Sequence, residues 1–214
     1  MTASASYTIT DLGTLAGAAI PTAISNNGRI AGFVFVASTY PDAFVYDSGS
    51  LTELGTFGGP TSSAACINDI GQAAGISDLN GTGVSHAFLY SSGMTTDLGT
   101  LGGPESVASG INATGEVVGD SETSSFGQTL AFVYANGMMT SLGTLGGQYS
   151  SAKGINDSGQ IVGSSSASHG GSEHAFLYSN GTMTDLSNLV AVRRAMPTSS
   201  ITADRCLARR LHLM

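Results

Sequence analysis

A short anchor motif recurs five times along the chain, and this repetition constrains the fold more than any other feature. The first copy is Asp11-Leu12-Gly13-Thr14-Leu15, and the last copy, at Asp185, is degenerate. The copies begin at residues 11, 53, 97, 141 and 185, so that they lie 42, 44, 44 and 44 residues apart. Such regular spacing indicates tandem structural units that stack on one another. We divide a single domain of residues 1–190 into repeats 11–52, 53–96, 97–140 and 141–184.

Each repeat contains short apolar segments of a length that is typical of β-strands. Gln160-Ile161-Val162-Gly163 and Ala175-Phe176-Leu177-Tyr178 show the pattern, and each is shorter than an ordinary helix. Asn136-Gly137 and Asn180-Gly181 favour two-residue hairpin turns, because both central residues of a type I′ turn need a positive φ. Asn-Asp-x-Gly segments supply a second turn. The pattern therefore predicts four antiparallel strands in each repeat.

A meander of four strands in about 44 residues has the size of a β-propeller blade. Small residues such as Ala64, Ala108 and Ala152 mark the first strand, which we place nearest the axis. We therefore predict an all-β fold, a β-propeller of four-stranded antiparallel blades with four clear repeats. Residues 7–12 match the outermost strand of a further repeat. We favour a ring in which this N-terminal strand closes a degenerate fifth blade over an open array of four blades.

The charge distribution separates the repeats from the C-terminal residues 191–214. Residues 1–190 carry fourteen carboxylates against Arg29 and Lys153, a net charge of −12, whereas the divergent basic tail carries +4. An acidic body repels phosphate backbones, which argues against nucleic acid as a partner. No apolar run approaches the ~18 residues of a membrane span.

Three motifs together resemble a known bacterial repeat. Asp-Leu-Gly-Thr-Leu-Gly-Gly, Gly-Ile-Asn-x-x-Gly-x-x-Val-Gly and His-Ala-Phe-x-Tyr are similar to the HAF repeat, an extracellular repeat family, over residues 7–189. The His-Ala-Phe triplet is intact at His86 and His174, whereas Asp42 and Leu130 replace the histidine in the other repeats. The resemblance implies export and a repeat fold, and it implies no particular activity. The N-terminus lacks the basic and apolar regions of a signal peptide. We therefore expect either the mature form of an exported protein, which the resemblance implies, or, if the chain is complete, a cytoplasmic protein.

His86 and His174 are the first candidates for chemistry, because histidine is the usual acid–base group near neutral pH. They occupy equivalent positions, so the repeat places them in different blades. The simpler interpretation is a structural histidine at the start of a strand. The sequence contains neither a Walker motif nor a dinucleotide-binding fingerprint, and we predict no organic cofactor.

Loops rich in Asp, Asn and Gly are candidate calcium sites, because they offer carboxylates and exposed carbonyl groups. Asp78 and Asn80 lie in one such loop. A ring of oxygen atoms around the axis is predicted from the turn residues Asn68, Asp69, Asn112, Asn156 and Asp157. The simpler interpretation is that these residues stabilise their own turns.

Two functions follow from these features. The first is a module, stabilised by calcium, that binds a partner, a small molecule or a surface ligand. The alternative is a calcium-dependent hydrolase that opens a lactone or an ester with His86 and His174, an expectation that depends on fold analogy. We favour the binding module, because the segments between second and third strands vary while the rest of each repeat is nearly constant. The sequence leaves the oligomeric state open.

Overall fold

Sixteen β-strands form four successive units in the part of the chain that the structure describes. The structure is a computed structural model, and it describes residues 17–36, 40–81, 83–125, 127–167 and 172–187. Unit 1 consists of β1 (Gly17–Ile24), β2 (Ile30–Val36), β3 (Asp42–Asp47) and β4 (Ser50–Gly55). Unit 2 consists of β5 (Gly58–Ile67), β6 (Ala73–Leu79), β7 (Ser85–Ser91) and β8 (Met94–Asp97). Unit 3 consists of β9 (Gly102–Ile111), β10 (Val117–Thr123), β11 (Thr129–Ala135) and β12 (Met138–Gly143). Unit 4 consists of β13 (Gly146–Ile155), β14 (Ile161–Ala167), β15 (Glu173–Ser179) and β16 (Thr182–Asp185).

Within each unit the strands pair antiparallel in sequence order, and local sequence explains the connections. Asn136-Gly137 and Asn180-Gly181 join the third strand to the fourth, and all four residues have a positive φ, as type I′ turns require. Ser48 and Ser92 take the same conformation before glycine in units 1 and 2. None of the described residues belongs to a helix long and apolar enough to cross a membrane.

A close approach between the first two strands explains the Val-Gly or Ala-Gly pair of each repeat. A Cβ atom at Gly75 would overlap the carbonyl oxygen of Ser63 on the neighbouring strand. The pairing between β5 and β6 is irregular beside this position, between Ala64 and Cys66. Glycine is therefore required because the bulged first strand leaves no room for a side chain.

The units are joined by three apolar clusters, each shared by two neighbours. The cluster between units 2 and 3 contains Ala74, Ala87 and Leu98 from one side and Ala108, Val117 and Phe132 from the other. Equivalent clusters join unit 1 to unit 2 and unit 3 to unit 4. Burying one phenylalanine side chain contributes about 1.5–3 kcal/mol, and Phe88, Phe132 and Phe176 are all at most 1% exposed. The hydrophobic core therefore lies between the units.

The all-β class is confirmed, but the predicted propeller of separate four-stranded antiparallel blades is wrong. Units 1 and 2 each form a four-stranded sheet, whereas units 3 and 4 merge into a mixed sheet of eight strands. The merger occurs because Thr129 of β11 pairs in parallel with Tyr149 of β13. No sheet among the described residues closes on itself. The predicted N-terminal closing strand, residues 7–12, and the tail 191–214 lie outside the described residues.

A serine contact recurs at every junction between units, including the junction at which units 3 and 4 merge. Ser150 of β13 accepts a hydrogen bond from the backbone nitrogen of Ala131 in β11, at 2.8 Å. Ser62 and Ser106 make the same contact with the third strand of the preceding unit. These contacts draw the first strand of one unit alongside the third strand of the unit before it. Between β11 and β13 the approach is close enough for direct backbone pairing.

Candidate functional site

The two ends of the sheets carry different kinds of connection. At one end, which we call the turn face, lie the Asn-containing turns 25–29, 68–72, 112–116 and 156–160, together with the four type I′ hairpins. At the other end, the loop face, lie the Gly-Thr-Leu or Gly-Thr-Phe crossovers between units and the variable segments between second and third strands. The sequence-predicted site residues are divided between these two faces.

The crossovers at the loop face are held by hydroxyl groups. Thr100 accepts a hydrogen bond from the Gly102 nitrogen and donates one to the Gly103 carbonyl. The Leu101 nitrogen donates to the Ser121 hydroxyl at 2.9 Å, and the Ser106 hydroxyl donates to the Gly99 carbonyl at 2.6 Å. The same four contacts recur in the crossovers from unit 1 to unit 2 and from unit 3 to unit 4. The loop face therefore has a rigid base.

An open groove of about 490 Å³ lies on this base in unit 3. One wall is the glycine pair Gly102-Gly103 with Pro104. The described residues of the other wall are Glu122, Thr123, Ser124, Ser125, Gly127 and Gln128. Gly103 is required because a Cβ atom there would lie 2.6 Å from the Cβ of Glu122. The groove volume falls within the range of about 300–1,000 Å³ that is usual for ligand sites. The glycine pair of the first wall recurs in units 2, 3 and 4, and the far wall is the variable segment.

Hydrogen bonds fix the far wall of the groove. The Thr123 nitrogen donates to the Gln128 carbonyl at 3.0 Å, and the Gln128 nitrogen donates to the Ser125 carbonyl at 3.1 Å. The Thr123 hydroxyl lies 3.0 Å from Gln128 Oε1 and accepts a hydrogen bond from the Ser125 nitrogen. Glu122 carries the single ionisable side chain among the described residues that line the groove. The groove thus presents backbone groups, hydroxyls, an amide and one carboxylate.

Asp78 and Asn80 occupy the equivalent wall in unit 2. Asp78 accepts hydrogen bonds from the hydroxyls of Ser85 and Thr61, each at 2.6 Å. Partial burial raises the pKa of Asp78, but the hydrogen bonds from Ser85 and Thr61 outweigh it and bring the pKa below its usual value. Asn80 lies close over Gly58, whose Cβ position would be 2.9 Å from the Asn80 Cβ. Here the variable segment closes over the glycine pair.

The asparagines predicted to form the calcium ring, Asn68, Asn112 and Asn156, lie on the turn face, where their side chains complete turns. The carboxamide oxygens of Asn68 and Asn156 accept from the backbone nitrogens of Gln72 and Gln160. That of Asn112 accepts from the nitrogens of Thr114 and Glu116. Asn68 and Asn112 also donate from Nδ2 to the carbonyl groups of Asn112 and Asn156 in the next unit. These side chains therefore link successive turns.

The aspartates of the turn face also join neighbouring units. Asp69 accepts from the backbone nitrogen of Asn26 at 2.7 Å, and Asp157 accepts from that of Ala113 at 2.8 Å. The hydrogen bond from the Asn26 side chain is the main reason why the pKa of Asp69 is below its usual value. A cavity of about 160 Å³ is lined by residues at the turns of all four units, and both aspartates are among them. Within the described ranges no group of three or more His, Cys, Asp or Glu side chains is placed to hold a metal ion.

His86 and His174 lie at the loop-face ends of β7 and β15, in different sheets. Each is bound through Nδ1 to an aspartate eleven residues later: His86 to Asp97 at 2.9 Å and His174 to Asp185 at 2.8 Å. Ser187 lies 3.1 Å from the same Nδ1 of His174. A serine nucleophile would instead contact Nε2, opposite the aspartate. These contacts therefore support a structural role, in which each histidine hydrogen-bonds the third strand to the anchor motif that follows it.

The hydrogen bonds around Asp185 lower its pKa. The hydroxyl of Ser187 contributes most, followed by His174, and together they bring the pKa of Asp185 from 3.8 to about 2. The repeats that lack this histidine also lack the aspartate eleven residues later. In unit 3, Leu130 stands at the histidine position and Ser141 at the aspartate position. Histidine and aspartate thus occur together in units 2 and 4.

Sequence reasoning missed the buried serines and the aspartate partners of the histidines. One group of serines lies seven residues after the glycine of the anchor motif. The second group lies twenty residues after the leucine or phenylalanine with which the anchor motif ends. They are Ser62, Ser106, Ser150, Ser77, Ser121 and Ser165, all at most 2% exposed. Their fixed repeat position was the available signal, and the joint occurrence of His86 with Asp97 and of His174 with Asp185 was another.

Comparison with known proteins supports the fold and leaves the family untested. No family model matches the sequence, and no curated protein matches it, so the resemblance to the HAF repeat stays a prediction. The crystal structure of TolB from Acinetobacter baumannii is similar to 78% of this chain, with a TM-score of 0.53 and 15% sequence identity. The similarity covers 41% of the TolB chain, so this chain spans less than half of it. TolB is a β-propeller, and at this identity the likeness shows a β-propeller-like fold alone.

Proposed function

We propose that the chain is a binding module that holds a ligand or partner on its loop face. The observation that carries this proposal is the unit 3 groove, which sets a variable segment against a constant, hydrogen-bonded crossover. Variable segments on a rigid scaffold are the usual place for recognition, because their sequence can change without disturbing the core. The sheets below the groove are joined by apolar clusters that do not involve the variable segments.

The chemistry of the groove favours a polar ligand that is neutral or positively charged. Gly102 and Gly103 expose backbone groups, and Ser124, Ser125 and Gln128 belong to the opposite wall. Glu122 adds a negative charge, and residues 1–190 carry a net charge of −12. An anionic ligand would be repelled, whereas a sugar or a peptide with hydroxyl, amide or ammonium donors would be accepted. A short peptide or a saccharide is therefore the class of ligand that we propose.

A loop exchange tests this function. The segment 124–128 is replaced by the sequence of 80–84, which has the same length and the same place in unit 2. A displayed library of short peptides and a set of immobilised saccharides are screened on the original chain, and any ligand obtained is measured on the exchange variant. We expect its affinity to fall at least about ten-fold, because every 1.4 kcal/mol of lost contact is a factor of ten.

The matched control is Asn136→Gly, which keeps a turn that tolerates positive φ on the turn face of the same unit. It should bind like the original chain. Equal binding by all three proteins, or no ligand retained from either collection, would overturn the proposal. Melting curves of both variants check that the fold is intact.

The calcium-dependent hydrolase is the weaker proposal. It requires Asp69, Asp78 and Asp157 to exchange their present hydrogen bonds for a cation. Calcium at 100 times its dissociation constant would then stabilise the fold by about 2.7 kcal/mol, and EDTA would remove both this gain and any opening of a lactone. A melting curve that is the same in EDTA and in calcium would exclude this function.

A further inference from the structure

The two ends of the row of units carry matching halves of the apolar cluster that joins neighbouring units. In each internal cluster the preceding unit contributes residues of its second, third and fourth strands, such as Val118, Ala131 and Leu142. The following unit contributes residues of its first three strands, such as Ala152 and Ile161. Unit 4 has no following unit, and unit 1 has no preceding unit, among the described residues.

The surface of unit 4 that corresponds to the first half of this cluster is exposed. Val162 is 47% exposed, whereas the equivalent Ala31, Ala74 and Val118 are fully buried. Ala175 is exposed, whereas the equivalent Ala43, Ala87 and Ala131 are fully buried. We call this surface, formed by Asn156, Val162, Ala175 and Leu186, the tail face.

The surface of unit 1 that corresponds to the second half is also exposed. Ile24 is 70% exposed, whereas Ile67, at the same position of unit 2, is 9% exposed and belongs to the first cluster. Pro21 is exposed, whereas the equivalent Ala64, Ala108 and Ala152 are at most 1% exposed. We call this surface, formed by Ala19, Pro21, Ile24 and Ile30, the head face. Phe44, at the phenylalanine position, is already buried.

We propose that the tail face of one copy binds the head face of a second copy of this chain. The contact continues an interface that the chain already forms three times between its own units. Both faces are apolar at the positions that those interfaces bury. Because the two faces differ, the contact is heterologous, and each copy keeps one face for a further copy.

Hydrogen-bonding groups at the turn face fit the same arrangement. Asn68 and Asn112 each use Nδ2 twice, once within their own turn and once towards the next unit. Among the described residues, Asn156 makes only the first of these contacts, to Gln160 at 2.9 Å. In the proposed assembly its second hydrogen is directed to the Ser25 carbonyl of the second copy, the equivalent of the Asn112 carbonyl.

One internal contact is not reproduced, and this makes the interface weaker than the internal ones. Ala19 occupies the position of Ser62, Ser106 and Ser150, whose hydroxyls accept from the third strand of the preceding unit. The backbone nitrogen of Ala175 therefore meets a methyl group in place of a hydroxyl. Association is expected to be reversible and dependent on protein concentration.

Sedimentation velocity of the full chain over a wide range of concentration tests the proposal. We expect the original chain to associate, and Val162→Lys or Ile24→Lys to weaken association at least about ten-fold, because either places a charge in a buried apolar contact. An equimolar mixture of these two variants should form a 1:1 dimer, since each keeps the face that the other has lost. Ala19→Ser should strengthen association by restoring the hydroxyl.

Met94→Lys is the matched control, because Met94 is 71% exposed on an outer strand away from both faces, and it should associate like the original chain. Melting curves show whether each variant is folded. An original chain that stays monomeric at every concentration overturns the proposal, and a simultaneous fall in the melting temperature of Val162→Lys would assign the tail face to another part of the same chain. A mixture that fails to dimerise excludes the head-to-tail arrangement.

Discussion

The turn face and the loop face are built from the same repeats, but they use the constant residues differently. On the turn face the repeated asparagines contact one another directly, so that Asn68 reaches Asn112 and Asn112 reaches Asn156. On the loop face the constant residues form the hydrogen-bonded crossovers, and the variable segments lie beside them. The recurring asparagines and crossover hydroxyls thus hold the units together, whereas the segments between second and third strands vary. The comparison separates residues that hold the units together from residues that are available for recognition.

The largest effect on stability is expected from Asn112→Ala on the turn face. Asn112 is 2% exposed, and its side chain accepts from two backbone nitrogens and donates to Glu116 and to the next turn. Its loss leaves buried polar groups without partners, which costs about 1–3 kcal/mol for each group. We expect a loss of about 3 kcal/mol in the free energy of unfolding, measured by urea denaturation.

Asn156→Ala is the matched control for Asn112→Ala. Asn156 also completes its own turn, but it is exposed, so water can replace its contacts. We expect a loss of about 1 kcal/mol, in the range of a solvent-exposed cap. Equal losses in the two variants would show that contacts between successive turns do not stabilise the fold.

A somewhat smaller effect is expected from Ser106→Ala beneath the loop face. The Ser106 hydroxyl, 1% exposed, donates to the Gly99 carbonyl and accepts from the Ala87 nitrogen. Removing it should lower the free energy of unfolding by about 2 kcal/mol, because both backbone groups lose a partner and the Ala87 nitrogen is buried. Ser125→Ala, in the variable segment above, should change it by no more than about 0.5 kcal/mol. A comparable loss for both serines would contradict the division between crossover and variable segment.

The smallest effect on stability is expected from the hydrogen bond between His174 and Asp185 at the loop face. The pKa of Asp185 is lowered from 3.8 to about 2, so its ionised form is favoured in the folded state. Its contribution to stability is therefore complete above about pH 4 and disappears as the pH falls through about 2. Melting temperatures of the original chain and of Asp185→Asn, measured across this range, should differ at the upper end and converge at the lower end. Parallel curves throughout would show that Asp185 ionisation is not linked to folding.

The sequence was informative about features that depend on neighbouring residues. Asn136-Gly137 and Asn180-Gly181 predict their hairpins, because a type I′ turn needs two residues that accept a positive φ. Ser48 and Ser92 take the same conformation without such a strong local preference, and the sequence predicted a connection between strands there but not its turn type. The variable segment 121–129, between the second and third strands of unit 3, was recognised as a candidate for binding. The groove beside it was not predicted, because the other wall of the groove is the crossover that leads into β9.

The candidate metal ligands show why side-chain chemistry could not be inferred from composition alone. Asp157 carries suitable oxygens, but whether those oxygens face a cation or the backbone nitrogen of Ala113 depends on how two turns 44 residues apart approach each other. The same holds for His174, whose aspartate partner lies on the next strand. Motif searches compare residue types, whereas the chemistry depends on which donors and acceptors are brought within about 3 Å.

By itself the sequence determined the repeat length, the all-β class and the type I′ turns, since each of these depends on spacing or on the conformational preferences of adjacent residues. Only the tertiary structure decided how the units meet. The pairing of Thr129 with Tyr149 merges units 3 and 4 into one sheet, and it lies close to the contact of Ser150 with Ala131. That contact joins two units through a hydrogen bond of 2.8 Å between residues nineteen positions apart. Its geometry is set by the packing of the apolar cluster between the units, which no local pattern in the chain specifies.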